Sequence, residues 1–205
     1  MGKTVMGAAS VSLDGFIADD NDAVGSMFDW LDSGDVVWSF EGSEDQVRTS
    51  QASADFMRTV YAGVAANVIG RRLFDLTNGW NGVPADGEHV FVVTHQPPTD
   101  WEYAGKAPFT FVNGVAEAIE AAQEFAGDRL IDVAAGQIGS QALKLGLIDQ
   151  VVLNIVPVVF GSGRPFFDTG KLDGPITLDD PSKVVQGDRV THLLYDVARS
   201  GARGG

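Results

Sequence analysis

The sequence predicts an α/β fold of three layers, with helices on both faces of a mixed, mostly parallel central sheet. Short apolar runs alternate with helix-period segments through most of the chain, the pattern of strand–helix–strand crossovers. From Ile176 onward only strand-like alternation remains, which adds antiparallel strands at one edge. A length of 205 residues suits one domain, taken as residues 1–199, with 200–205 as a disordered tail of small and polar residues.

Thr4 to Ser12 is rich in small and β-branched residues and reads as a buried strand ending at the turn signal Leu13-Asp14-Gly15. Asp19 to Gly42 is irregular, rich in aspartate and aromatic residues, and too long for a simple connection, so it is expected to face a ligand. Ser43 to Tyr61 reads as a helix capped by Ser43, with Ala52, Phe56 and Val60 at four-residue spacing. Asn67 to Gly70, Val90 to Thr94 and Phe109 to Val112 are apolar strand runs. Asn113-Gly114 opens a second helix with Val115, Ile119, Ala122 and Phe125 on one face. Leu130 to Ala134 is a strand, and Gly136 starts a third helix with Ile138, Ala142 and Leu145 in a stripe and Gly146 at its end. Val151 to Phe160 reads as a long strand interrupted by Pro157. Ile176 to Leu178 and Val190 to Val197 complete the strands.

Composition removes several function classes. Hydrophobic residues make up 44% of the chain and charged residues 20%, an ordinary globular balance. Twenty-eight acidic against 14 basic residues give a formal net charge of −14, a field that repels phosphate backbones and argues against nucleic-acid binding. With no cysteine, disulfides and thiolate catalysis are absent. The N-terminus does not read as a signal peptide and no apolar run is long enough for a membrane span, so a cytoplasmic protein with no membrane partner is expected. His89, His95 and His192 are scattered without metal-ligand spacing and read as surface or strand-end residues, so no metal is expected.

In so acidic a chain, a phosphate site must be built from local basic residues and backbone amides. Gly70-Arg71-Arg72-Leu73-Phe74 follows a strand. There glycine admits a ligand to the backbone and two guanidiniums supply positive charge, although a solvated basic pair reads equally from the residues alone. Ala134-Ala135-Gly136-Gln137-Ile138-Gly139-Ser140 repeats the arrangement at the next helix start, with close helix–strand packing as the plain alternative. Gly161-Ser162-Gly163-Arg164-Pro165 lacks the third glycine of a dinucleotide fingerprint and reads as a turn. Asp14, at the mouth of the sheet, suits substrate anchoring or proton supply, or turn formation through its side chain. Trp30 and Trp38 either line a pocket or plug the core.

Taken in order, Ser12 to Ala18, Asp29-Trp30-Leu31, Gly70 to Phe74, Gly136, Leu145 to Asp149 and Pro157 to Gly163 with Phe167 resemble one family. It is the dihydrofolate-reductase-like family related to the C-terminal reductase domain of the bacterial bifunctional riboflavin-biosynthesis deaminase–reductase. The resemblance covers roughly Lys3 to Arg199. It implies a mixed, mostly eight-stranded sheet with NADPH across the strand C-termini, a hydride passed to a small heterocyclic, pterin- or pyrimidine-like substrate, and a homodimer. By the same resemblance Gly70, Arg71 and Arg72 face the cofactor phosphates. Thr94, His95 and Gln96 sit near the adenosine 2′-phosphate, and Gly136, Gln137, Ile138 and Gly139 hold the pyrophosphate. Asp14, Trp30 and Phe160 take the substrate, with Asp14 as the catalytic candidate. Two departures stand out: Leu73 replaces a threonine common after the basic pair, and Ala134-Ala135-Gly136 lacks the glutamate of the riboflavin-pathway reductases. They motivate the alternative of a catalytically inactive ligand-binding or interaction protein that retains the reductase fold. A flavin-dependent enzyme is a third reading.

Overall fold

A computed structural model describes residues 2–7, 9–41, 43 and 45–197. The proposed tail at 200–205 lies outside the described residues. The first apolar run forms two strands, β1 (Thr4–Gly7) and β2 (Ser10–Val11). After the Leu13-Asp14-Gly15 turn comes β3 (Phe16–Ala18), and the irregular segment contains a 3-10 turn over Gly25–Leu31 and β4 (Val36–Trp38).

The expected helix from Ser43 is corrected. Val47–Thr49 is strand β5, antiparallel to β4, and helix α1 spans Gln51–Val60. Ser50, not Ser43, is the N-cap: its backbone is extended and its hydroxyl accepts the Ser53 amide at 3.3 Å. Val47 and Thr49 are β-branched residues on one side of an alternating run, which explains the strand.

The central alternation then follows closely: β6 (Val64–Gly70), α2 (Arg71–Thr77), β7 (His89–Val93), β8 (Phe109–Val112), α3 (Val115–Ala126), β9 (Leu130–Ala134) and α4 (Gln137–Lys144). In α3 the buried stripe is Val115, Ala118, Ile119, Ala122 and Ala126. Phe125 lies at the flank, 42% exposed. In α4 Gly139, Ser140, Ala142 and Leu143 face inward, while Leu145 lies beyond the helix and is exposed.

Strand β10 (Gln150–Ile155) stops two residues before Pro157, so the long strand expected to Phe160 is shortened. Pro157 has no N–H for the ladder, and residues 158–161 instead make a loop held from the 12–16 turn. A short β11 (Arg164–Pro165) pairs with β3. The strand expected at Ile176–Leu178 is absent; β12 (Lys183–Gly187) instead forms a hairpin with β13 (Val190–Asp196). Arg189, in the two-residue loop that closes it, takes φ +59°, a left-handed backbone at a residue other than glycine.

The main sheet runs β12-β13-β10-β1-β9-β6-β7-β8, with β2 also on β10, so nine strands rather than eight join it among the described residues. All of its pairs are parallel except those made by β13. One face packs Met6, Val68, Ile131 and Val133 against α3 and α4; the other packs Val5, Val64 and Val152 against α1 and Trp30. A third cluster joins Ile69, Val90 and Val92 to Phe74 of α2 and Trp101. This is the three-layer architecture of the dihydrofolate-reductase-like fold. Among the described residues no helix is long and apolar enough to cross a membrane.

Candidate functional site

Parallel strands ending together leave a crevice at their C-terminal edge, and β9, β6 and β7 end side by side here. Gly70 closes β6 and is the residue before α2. A Cβ on Gly70 would lie 3.1 Å from Cγ1 of Ile138, so the starts of α2 and α4 meet at this point. Gly136 precedes α4 at φ +80°, a backbone that favours glycine, and no side chain caps the first turn. Its own N–H donates to the Phe166 carbonyl at 2.8 Å. Gly139 does something different. A Cβ there would meet Cε of Met6 at 2.7 Å and the Ala134 carbonyl oxygen at 2.8 Å, so this glycine serves close helix–strand packing. Gln137 is exposed at the first position of α4.

The two arginines are engaged unequally. Arg71 donates from Nε to Asp75 at 2.7 Å and from Nη1 to the Gln96 carbonyl, linking α2 to the turn after β7. That turn is closed by the Gln96 N–H donating to the Thr94 hydroxyl at 3.2 Å, while His95 is exposed and bonds Asn113 at 2.5 Å. The Arg72 guanidinium is bidentate on Asp22, its Nε at 2.8 Å, and Arg164 donates from Nε to the same carboxylate at 2.9 Å. The Arg72 hydrogen bond, then Arg164, holds the Asp22 carboxyl down to about 2. Asp22 and Arg164 were not singled out from sequence as site residues. They stand 142 residues apart, and Asp22 sits among other aspartates with nothing local to mark it.

Asp14 accepts from the Ser12 hydroxyl at 2.5 Å and from the amides of Phe160 and Gly161 at 3.1 and 2.6 Å, which ties the first turn to the loop after β10. The Ser12 hydrogen bond, followed by those two amides, holds its carboxyl below the ordinary carboxylate value. Trp30 is 3% exposed, its indole N–H donating to the Ser10 hydroxyl at 2.8 Å; it fills the core, and Phe160 lies half-buried against the same cluster. Trp38 is a core residue as well, bonded to Thr49 at 2.9 Å.

His192 corrects the surface reading of the histidines. It is fully buried in β13, bonded to Asn154 at 2.8 Å and Ser53 at 2.9 Å, and stacked on Phe56. Burial lowers its ring to about 4, so it is neutral. Asp132, in the central strand β9, is likewise buried, with Oδ1 lacking any hydrogen-bond partner; burial, then the Asp86 charge, pushes it well up. A cavity of about 640 Å³ lined by Lys3, Arg129, Gln150 and Lys183 opens at the opposite, N-terminal edge of the parallel strands, away from Gly70 and Gly136. The glycine and arginine geometry, not cavity size, therefore picks out the candidate site.

No family model matches the chain. The uncharacterized protein YwjB of Bacillus subtilis (strain 168) is 30% identical over 176 residues, 80% of this chain and 82% of that protein. Among solved structures, a candidate riboflavin biosynthesis protein from Shewanella sp. PV-4 superposes with a TM-score of 0.64 at 22% identity, covering 97% of this chain and all (100%) of that one. A pyrimidine reductase-like protein from Corynebacterium diphtheriae NCTC superposes at 0.62 and 14% identity, covering 97% and 93%.

Proposed function

Because the chain belongs to the family of Bacillus subtilis YwjB and has a dihydrofolate-reductase-like fold, we propose that it is an NADPH-dependent reductase of a small heterocyclic, pterin- or pyrimidine-like substrate. The observation that carries this reading is the meeting of two glycine-led helix starts, Gly70 with Arg71 and Arg72, and Gly136 with Gln137 and Ile138, at the C-terminal edge of the sheet. The residues present fit a phosphate-bearing cofactor: α4 starts at Gly136 with no side-chain cap on its first amides, and Arg71 and Arg72 bring two guanidiniums to the start of α2, which meets it, in an acidic chain.

In this proposal Gly136 brings the start of α4 to the pyrophosphate while its own N–H stays on Phe166, Gln137 and Ile138 offer their main-chain amides, and Gly139 allows α4 to lie close on the sheet. Gly70, Arg71 and Arg72 face the phosphates, and Thr94, His95 and Gln96, held by Arg71, flank the adenosine end. NADPH supplies the hydride. Asp14 orients the Phe160–Gly161 loop beside the substrate through its ionised carboxylate, a positioning role that its low pKa favours over proton donation. Trp30 backs that wall from the core. The likeness to a pyrimidine reductase-like protein of Corynebacterium diphtheriae favours a pyrimidine-type substrate. The homodimer belongs to the same proposal and is checked by sedimentation velocity.

The test is oxidation of NADPH followed against a panel of pterins, pyrimidines and quinones. Turnover with a pterin or pyrimidine is expected. Binding of NADPH with no turnover on any of them would assign the chain to the ligand-binding alternative.

A further inference from the structure

Asp22 sits in a bracket of two guanidiniums drawn from distant parts of the chain. Arg72 comes from the first turn of α2 and Arg164 from β11, which pairs with β3 just before the turn. The carboxylate is the shielded member, 13% exposed, while the Arg72 and Arg164 side chains are 59% and 42% exposed. A planar carboxylate gripped by two guanidiniums is the arrangement that also grips a phosphate, since both ligands present paired oxygens to the same N–H forks.

The segment carrying Asp22 is a small self-bonded turn. Asp19 accepts the amides of Asn21 and Ala23 at 2.7 and 2.9 Å, and Asp22 itself takes φ +66°, which a non-glycine residue adopts at some cost. Its other ties run to the start of β11 and the residues before it: Ser162 donates to Asp20 at 2.5 Å, and Arg164 donates to the Asp20 carbonyl at 3.1 Å. Gly25, at φ +49° with open space around it, follows the turn. Residues 19–23 are thus bonded among themselves and tied to the rest of the fold by Arg72, Ser162 and Arg164.

We propose that Asp22 is an internal competitor for the anion seat between Arg72 and Arg164, which a phosphate group takes when residues 19–23 turn outward. Asp22 thereby sets the affinity of this site for phosphate-bearing ligands and favours those that meet both arginines at once. Asp19 and Asp20, on the same turn, add to the repulsion an incoming anion must overcome. The inference rests on the reductase reading only for the identity of the natural ligand.

The experiment is calorimetric titration of the whole protein and of Asp22→Asn with inorganic pyrophosphate, and separately with NADPH, alongside amide hydrogen exchange of the wild type. Asp22→Asn is expected to bind pyrophosphate about tenfold tighter than wild type, with the gain shrinking at high salt. In the wild type, pyrophosphate is expected to speed exchange at Asn21 to Ala23. Unchanged or weaker pyrophosphate binding by Asp22→Asn overturns the proposal, as does unaltered exchange in the wild type, a result that needs no variant to fold. Equal NADPH affinity of the two proteins together with unchanged pyrophosphate binding overturns the competitor role and leaves the cofactor reading standing. A pyrophosphate gain with no NADPH binding by either protein supports the competitor and removes the cofactor.

Discussion

Arg71 and Gln96 are joined across two strand ends, the Arg71 guanidinium donating through Nη1 to the Gln96 main-chain carbonyl. The same side chain bonds Asp75 one helical turn on and lies 5.9 Å from the centre of the Phe74 ring. One residue thus fixes the turn proposed to flank the adenosine end. Exposed ion pairs contribute little to stability, so Arg71→Ala is expected to cost under about 1 kcal/mol in urea unfolding while weakening NADPH binding about tenfold. A wild-type NADPH affinity in Arg71→Ala would remove the residue from the site.

His192 predicts an acid limit on stability. Its folded value of about 4 lies below the ordinary 6.5 because burial disfavours the imidazolium. A depressed folded value means that the stabilisation is whole above pH 6.5 and is lost as the pH falls from 6.5 towards 4. The loss amounts to about 3 kcal/mol at 1.36 kcal/mol per unit. Urea unfolding of wild type and His192→Gln across that range should show the variant, less stable at pH 7, losing less on acidification. Parallel slopes would contradict this account of the buried ring.

Asp132 acts with the opposite sign. Burial first, then the charge of Asp86, raises its carboxyl above 3.8. A carboxyl raised in the fold contributes fully below its unfolded value, and that contribution drains away as the pH climbs through the folded value. Asn67, its ladder neighbour across β6 and β9, donates to Asp86 at 2.6 Å, while Oδ1 of Asp132 has no partner. The melting temperature of Asp132→Asn relative to wild type should therefore rise with increasing pH. A difference constant from acid to alkaline conditions would show that Asp132 does not titrate as described.

Gly139 and Gly136 test two different reasons for glycine. Gly139→Ala forces a methyl against Met6 and the Ala134 carbonyl and should cost about 1–3 kcal/mol by overpacking. Gly136→Ala meets only ordinary van der Waals neighbours, the Pro165 carbonyl at 3.7 Å and Ile17 at 3.8 Å, but a backbone at φ +80°, so about 1 kcal/mol of strain is expected, together with impaired pyrophosphate binding. Chemical denaturation with pyrophosphate titration separates the two; a Gly139→Ala protein as stable as wild type would contradict the packing role.

The parts legible in the sequence were those written locally. Gly70-Arg71-Arg72 and Gly136 could be found because a buried run, a glycine and a helix-period segment follow one another within a few residues. The Arg72–Asp22–Arg164 bracket could not, because its members come from three segments and any of several aspartates would have served. His192 did leave a signal: it shares parity with Val190 and Leu194, both buried, so strand alternation already points it inward. Asp132 left none, since a strand covered on both faces buries every position whatever its parity. The misplaced start of α1 arose because Ser43 and Ser50 are both plausible caps, and only the pairing of Val47–Thr49 with Val36–Trp38 decides between them.

Calorimetric titration of NADPH against NADH tests most directly whether the crevice at Gly70 and Gly136 holds NADPH. NADPH is predicted to bind more tightly, with Arg71→Ala or Arg72→Ala abolishing the difference between the two cofactors. No binding heat at millimolar NADPH, or equal affinity for both cofactors in the wild type, would contradict it.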